Sequence, residues 1–308
     1  MKKALFNMTA ASLILLLGAC GQDTTGDEEN AGTEEENTGT ITYESENGPV
    51  EVPANPERVV VLAFAGNVIA LDVSLIGVDS WSKTNPRFAE QLDGVEEVSD
   101  ENLEKIIELE PDLIIGYSTI KNVDKLEQIA PVVTYTYDGV DYLEQHIEIG
   151  KLLNKEEEAT EWVDDFKARS KEAGDDIRAH IGEDATVSVI ENFDKQLYVF
   201  GDNWGRGTEI LYQEMKLEMP EKVEEMALAD GFYALSVEVL DEYAGDYMIV
   251  SKTEETEGSF QDTETYQNID AVKNDRVFQV DAMEFYFNDP LTLEYQLEFF
   301  IDHFLNSN

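Results

Sequence analysis

The sequence predicts an α/β protein of two Rossmann-like lobes, each with a parallel sheet, joined by one long rigid α-helix. Three observations lead there. Short β-branched or aromatic runs recur along the chain and alternate with segments of helical spacing, the pattern of parallel sheets covered by helices. About 265 of the 308 residues lie beyond a polar N-terminal stretch, long for one domain and comfortable for two. One extended amphipathic segment separates the earlier strand runs from the later ones.

Taken in order, the chain opens with Lys2 and Lys3, continues through the apolar Leu13 to Leu17, and reaches Gly18, Ala19 and Cys20. A charged start, an apolar middle and small residues at the end make residues 1–19 an export signal. The apolar run falls short of the roughly 20 residues that span a bilayer, and acidic residues follow it, so it reads as a leader rather than an anchor. Cys20 is the only cysteine, which excludes an internal disulfide and a cysteine-based metal site. Leu17-Gly18-Ala19-Cys20 resembles the bacterial lipobox, which implies a diacylglyceryl group on Cys20 and anchoring by two acyl chains.

Residues 20–40 hold Asp23, Asp27, Glu28, Glu29, Glu34, Glu35 and Glu36 with no basic and no large apolar side chain. Such a segment cannot bury a core and is expected to be a disordered tether spanning on the order of 25 Å. The formal net charge is −46, and loss of Lys2 and Lys3 with the leader makes it −48. That field makes nucleic acid and anionic lipid surfaces poor partners. It suits a secreted protein in high salt or at high pH, and follows equally from acidic drift.

Residues 41–153 are read as the N-terminal lobe, with strand runs at 58–64, 111–117 and 131–137. Residues 154–182 are the connecting helix. Asn154 can cap it with Glu157 three residues on, and Ala159, Trp162, Val163, Phe166, Ala173, Ile177 and Ile181 form one stripe; Gly174 is the weak point in its continuity. Residues 183–308 are the C-terminal lobe, with runs at 185–191, 196–201, 247–252 and 276–281.

Catalytic chemistry finds little support. His146, His180 and His303 are far apart, lack zinc-site spacing and are read as surface residues. No serine-nucleophile elbow and no metalloprotease helix is present, so the chain is read as a non-enzyme with no cofactor and no directly bound metal. One segment stands out. Gly201-Asp202-Asn203-Trp204-Gly205-Arg206-Gly207-Thr208-Glu209 follows a strand and precedes the amphipathic Ile210, Leu211, Tyr212 and Met215, a glycine-rich loop entering a helix with Thr208 at the cap. It matches neither the phosphate-binding nor the dinucleotide-binding glycine pattern. It displays an indole and a permanent cation, which suits a ligand with an apolar skeleton and oxygen acceptors.

Asn203 to Glu209 with the upstream Tyr198, Tyr286-Phe287-Asn288-Asp289-Pro290, and Glu110-Pro111-Asp112-Leu113-Ile114-Ile115 together resemble the ferric hydroxamate binding lipoproteins of Gram-positive iron transporters, within the helical-backbone class of substrate-binding proteins. The likeness runs from Ile41 to the C-terminus. It implies a shallow cleft in which Arg206 reaches the hydroxamate oxygens around iron while Trp204, Tyr198, Tyr137 and Tyr286 wall the ligand; relatives often carry tryptophan at the place of Tyr286. It also implies a monomer on the outer face of the cell membrane, delivering to an ABC permease and its ATPase. Glu104 and Glu238 would be the docking points, one per lobe. With six arginines in the chain and one in the loop, a nearly neutral trihydroxamate fits better than a trianionic catecholate. Catecholate or carboxylate siderophores, haem and cobalamin are the alternative ligands, and a surface enzyme on an α/β scaffold is the alternative from another class.

Overall fold

The computed structural model describes residues 39–137, 139–253 and 258–306. The leader, Cys20 and all but the last two tether residues lie outside them. The tether boundary moves, because Thr40 already pairs with Pro53 in a β-hairpin of β1 (Thr40–Ser45) and β2 (Gly48–Pro53).

In the N-terminal lobe, β3 (Val59–Val61) leads through α1 (Ala65–Ile69) to β4 (Leu75–Val78) and β5 (Glu96–Glu97). Then come α2 (Leu103–Leu109), β6 (Leu113–Tyr117), α3 (Val123–Leu126), β7 (Val132–Tyr135) and α4 (Tyr142–Leu152). The sheet order is β5-β4-β3-β6-β7 and every pair is parallel. Central strands made of Val-Val-Val and Leu-Ile-Ile have no polar face to show, as expected of a sheet covered on both sides. The strand read at 58–64 is shorter, since Phe64 turns into the left-handed region and starts α1.

The connecting helix, α5 (Glu156–Ile181), is one unbroken element of 26 residues, about 39 Å long. Its stripe is the one read from spacing. Ala159 belongs to the first lobe's core, whereas Val163, Phe166, Ala173 and Ile177 belong to the second's, so a single helix is built into both. Asn154 does not cap it: that residue sits at φ 57 after the end of α4, and Lys155 occupies the N-cap position without a side-chain hydrogen bond. Gly174 does not interrupt it either. A Cβ there would stand 2.2 Å from the Met215 carbonyl oxygen, so the glycine lets the helix lie against backbone of the second lobe.

The C-terminal lobe runs β8 (Val187–Phe193), β9 (Gln196–Phe200), α6 (Glu221–Ala227), β10 (Phe232–Leu235) and β11 (Tyr247–Lys252). It ends with α7 (Glu264–Gln267), α8 (Asp270–Lys273), β12 (Val277–Asp281), α9 (Ala282–Phe285) and α10 (Pro290–Asn306). Its sheet order is β10-β9-β8-β11-β12. β8, β11 and β12 are parallel, and β9 runs antiparallel to both its neighbours. The reversal is a two-residue hairpin in which Asp194 and Lys195 both take positive φ, the primed turn that matches strand twist.

A second connection accompanies α5. α10 packs its Leu293, Leu297, Phe300 and Phe304 into the C-terminal core, while Leu291 at its start packs on the N-terminal one. The buried Asn85 donates to Thr292 Oγ1 at 2.9 Å, and Gly66 lies so close to Asp289 that a Cβ would come within 2.2 Å of its carboxyl carbon. Arg87 pairs with Glu284 and stacks 4.3 Å from the Tyr295 ring. Among the described residues no helix is long and apolar enough to cross a membrane.

Candidate functional site

The carboxyl ends of the parallel strands of both lobes face a common cleft of about 630 Å³. From the first lobe come residues 62–67 after β3, Asp79, Trp81 and Ser82 after β4, Tyr117 at the end of β6, residues 136–137 after β7, and Tyr142 and Gln145 of α4. The second lobe contributes Phe193, Trp204 to Arg206, and Tyr286 to Asp289. This is where open α/β sheets bind ligands, because loops that leave the strand ends are free to vary. Of the seven large hydrophobic side chains exposed among the described residues, five (Trp81, Tyr137, Val140, Phe193 and Trp204) line the cleft, so the apolar surface is concentrated there. A shallower hollow of about 570 Å³ between β2 and residues 127–132 has no aromatic or cationic side chain and no such convergence.

Four successive residues of the glycine-rich loop, Trp204, Gly205, Arg206 and Gly207, have φ between 61 and 82. For two of them, bulky and non-glycine, this is strained and must be held by the surroundings. The holding contacts are clear. Arg206 N–H donates to the Phe285 carbonyl, Gly205 N–H to Glu209 Oε1 at 2.9 Å, and Thr208 Oγ1 to the Gly205 carbonyl at 2.8 Å. A Cβ on Gly205 would sit 2.4 Å from the Tyr286 carbonyl oxygen, so the loop is pressed against the 285–286 backbone. Thr208 therefore turns back into the loop instead of capping the following helix, which is a π-helical segment, Glu209–Glu214.

Arg206 lies between two rings, its guanidinium carbon 4.3 Å from the centre of Phe200 and 4.4 Å from that of Tyr286. Nε donates to Glu191 Oε2 at 2.5 Å and Nη1 to the Trp204 carbonyl at 2.7 Å. Glu191, which is 1% exposed, also accepts from the Tyr286 hydroxyl. Burial, and then this carboxylate, pushes the Tyr286 phenol up. Burial likewise raises Glu209, raises Asp79 against its bonds to Ser82, and brings Asp289 to about 6.

Trp204 meets Tyr137 of the opposite lobe at 5.8 Å between ring centres. Behind Tyr137 stand Tyr117 at 6.0 Å and, in turn, Phe64 at 4.6 Å. At the other end of the cleft Trp81 stacks on Tyr286 and Phe287, both at 5.6 Å. The structure thus brings together Trp204, Arg206, Tyr137 and Tyr286. Tyr198 is not among the lining residues; it packs edge-on against Phe232 at 5.8 Å, and Phe232 against Trp204 at 5.5 Å, so it supports the wall from behind.

Sequence reasoning missed Trp81 and Glu191. An indole in the polar run Asp79-Ser80-Trp81-Ser82-Lys83 and an acid ending the apolar Val189-Ile190 were the available signals. Glu104, in the first turn of α2, and Glu238, in a 3-10 turn over Val237–Glu242, are both exposed. The Glu238 carboxyl is held below its usual range by its own backbone N–H and by Ser236.

The histidines do not all lie at the surface. His146 is 1% exposed, with Nδ1 3.2 Å from Asn67 Oδ1 and the ring edge-on to Trp162 at 5.3 Å, and burial lowers it to about 4. No group of three or more His, Cys, Asp or Glu placed to hold a metal ion occurs among the described residues. Aromatic walls, one cation already answered by a carboxylate, and scattered amides make a cleft suited to a large, weakly charged molecule.

Residues 62–283 match the model of the periplasmic binding protein family. The chain is 35% identical over 300 residues to the iron(3+)-hydroxamate-binding protein FhuD of Bacillus subtilis (strain 168), an alignment covering 94% of each. Its structure is similar to that of the FhuD protein from S. pseudintermedius, with a TM-score of 0.78 and 36% identity, covering 88% of this chain and 99% of that one. FhuD2 from Staphylococcus aureus with bound ferrioxamine B gives a TM-score of 0.76 at 32% identity, over 82% of this chain and 99% of that one.

The buried His146 makes a pH-dependent prediction. Between its ordinary value and about 4 the unfolded chain binds the proton and the folded protein does not, so stability is lost as pH falls through that window. Asp289 acts in the opposite sense, because the folded state protonates first and the cost of its buried charge is relieved below about 6. The comparison with His146→Gln isolates the first effect. Between pH 7 and pH 5 the wild type should lose about 2 kcal/mol relative to the variant in urea unfolding. A difference that stays flat with pH refutes the buried neutral imidazole.

Proposed function

This chain belongs to the periplasmic binding protein family, and we propose that it captures ferric hydroxamate siderophores outside the cell and hands them to an ABC permease. The observation that carries this reading is the pair of facing aromatic side chains, Trp204 and Tyr137, with Arg206 held between Phe200 and Tyr286 beside them. Three hydroxamates cancel the charge of ferric iron, so their complex offers neutral oxygen acceptors on an apolar skeleton, and rings with one arginine suffice to hold it. A trianionic complex would face Asp79 and Asp289 with a single cation, Arg206, among the lining residues to meet it, and that cation is already paired with the buried Glu191. The iron-hydroxamate names of the relative and the ferrioxamine B bound to the FhuD2 neighbour support the same ligand class.

In this reading Trp204, Tyr137 and Tyr286 wall the ligand and Tyr198 backs that wall. The Arg206 guanidinium has five N–H groups, more than its two acceptors Glu191 and the Trp204 carbonyl consume, and the rest serve ligand oxygens. Iron stays inside its chelate, and the protein contributes no metal ligand. Binding needs no bond-making step. Cys20 carries the lipid that holds the protein on the outer face of the membrane, where it acts as a monomer. Glu104 and Glu238, one on each lobe, meet basic residues of the permease at a separation that α5 keeps fixed. Exposed rim charges of this type govern encounter and orientation.

Titration with ferrioxamine B should quench tryptophan fluorescence. Arg206→Ala should weaken binding about ten- to hundredfold and also destabilise the unliganded protein, because Glu191 is left buried without its partner. Adding Glu191→Gln to Arg206→Ala should restore much of the stability and none of the affinity; recovered affinity would assign Arg206 to loop support alone. Cys20→Ala should move the protein from the membrane fraction to the medium, and retention at wild-type level refutes the anchor. Glu104→Ala combined with Glu238→Ala should leave siderophore binding intact in solution and abolish iron uptake in cells, so normal uptake by that variant removes the docking assignment.

A further inference from the structure

The floor of the cleft carries two primary amides with no part in the reading above. Gln145, in the first turn of α4, is 8% exposed, and its Nε2 has no hydrogen-bond partner. Asn67, in α1, is 6% exposed, and both residues line the cleft on the lobe opposite Arg206. The two are linked through the residue after Gln145. His146 Nδ1 lies 3.2 Å from Asn67 Oδ1, and since an amide oxygen only accepts, the imidazole donates there. That bond fixes which way the Asn67 amide faces and leaves its Nδ2, two further N–H donors, for another partner.

The backbone beneath them is held firmly. Asp141 caps α4 by accepting from the Leu143 and Glu144 N–H groups, both at 2.9 Å, and the Tyr142 hydroxyl crosses to Glu214 of the second lobe at 3.1 Å. A desolvated amide with nothing to bond is costly, and here it adjoins the cavity in which the ligand is proposed to sit.

We propose that Asn67 and Gln145 form a second polar subsite that receives carbonyl oxygens of the hydroxamate or amide groups of the ligand, across the cleft from Arg206. The inference rests on the reading of the protein as a ferric hydroxamate binder and names residues that set which hydroxamates it prefers. Neutral donors suit neutral acceptors. With Asp79 and Asp289 lining the same cleft, a carboxylate-bearing ligand would gain little from these amides and meet repulsion beside them.

The test uses ferrioxamine B and its gallium(III) counterpart. Gln145→Met keeps the side-chain volume and removes the N–H groups. It should weaken ferrioxamine B binding about three- to tenfold, with a thermal midpoint of the unliganded protein equal to or above that of the wild type, since an unpaired donor has gone. In ¹⁵N-labelled protein the Gln145 side-chain amide signal, identified by its absence from the variant, should shift and exchange more slowly with water when the gallium complex is added. If the wild type binds ferrioxamine B while Gln145→Met binds it equally well and the amide signal stays in place, the subsite is refuted and the ligand reading stands. A lowered thermal midpoint with unchanged affinity makes Gln145 a purely structural residue and also refutes it. Failure of the wild type to bind either complex overturns the ligand reading, and the subsite with it.

Discussion

The cleft depends on one buried carboxylate. Glu191 lies in β8, two residues before its end, at 1% exposure, and a charge so placed has to be met by hydrogen-bonded partners. It is met by Arg206 from the glycine-rich loop and by the hydroxyl of Tyr286 from the segment after β12. Three stretches distant in sequence therefore converge on one acid. A buried ion pair of this sort contributes little net stability compared with a packed apolar cluster, and its value lies in specifying a single arrangement. Without it the run of positive φ through Trp204 and Arg206 would lose one of the restraints that place the ring facing Tyr137.

The same economy of parts governs the lobes. α5 starts in one hydrophobic core and ends in the other, so the linker is itself core and cannot bend without exposing apolar surface in both. Asn85 on Thr292, Gly66 against Asp289 and Trp81 stacked on Tyr286 and Phe287 tie the lobes together again at the cleft. A site framed by two such attachments offers its aromatic walls at a set spacing, which lowers the ordering cost of taking up a bulky ligand.

Much of this was legible in the sequence, for physical reasons. The α5 stripe spans seven turns and leaves little room for another structure, and all seven strand runs that were read occur as strands. What stayed hidden depends on distant partners. The hairpin of β8 and β9 turns on Asp194-Lys195, not on an Asn-Gly signal, so its antiparallel sense was masked. The short β4, β5 and β10 lack a run long enough to register, although Asn47-Gly48 was a readable cue for the β1–β2 hairpin. Asn154 looked like a cap because its side chain suits one, and its left-handed backbone suits equally well the turn that ends α4. In the site, loop chemistry announced Trp204 and Arg206, whereas Trp81, Glu191 and the buried His146 acquire meaning only from what folds against them. Tyr198 shows the converse: a residue marked by resemblance that stands one layer behind the surface.

The position of α10 bears on the order in which the molecule assembles. A chain read from its N-terminus presents the first lobe, then α5, then all five strands of the second sheet, before residues 285–306 exist. Yet those last residues supply Tyr286, Asp289 and Thr292, and with them the inter-lobe attachment beside the cleft. Until they are in place the second core lacks Leu293, Leu297, Phe300 and Phe304, and the cleft lacks its second inter-lobe attachment. The binding geometry of this chain is therefore complete only when its last residues are in place, so a truncation within α10 would cost the cleft as well as the second core.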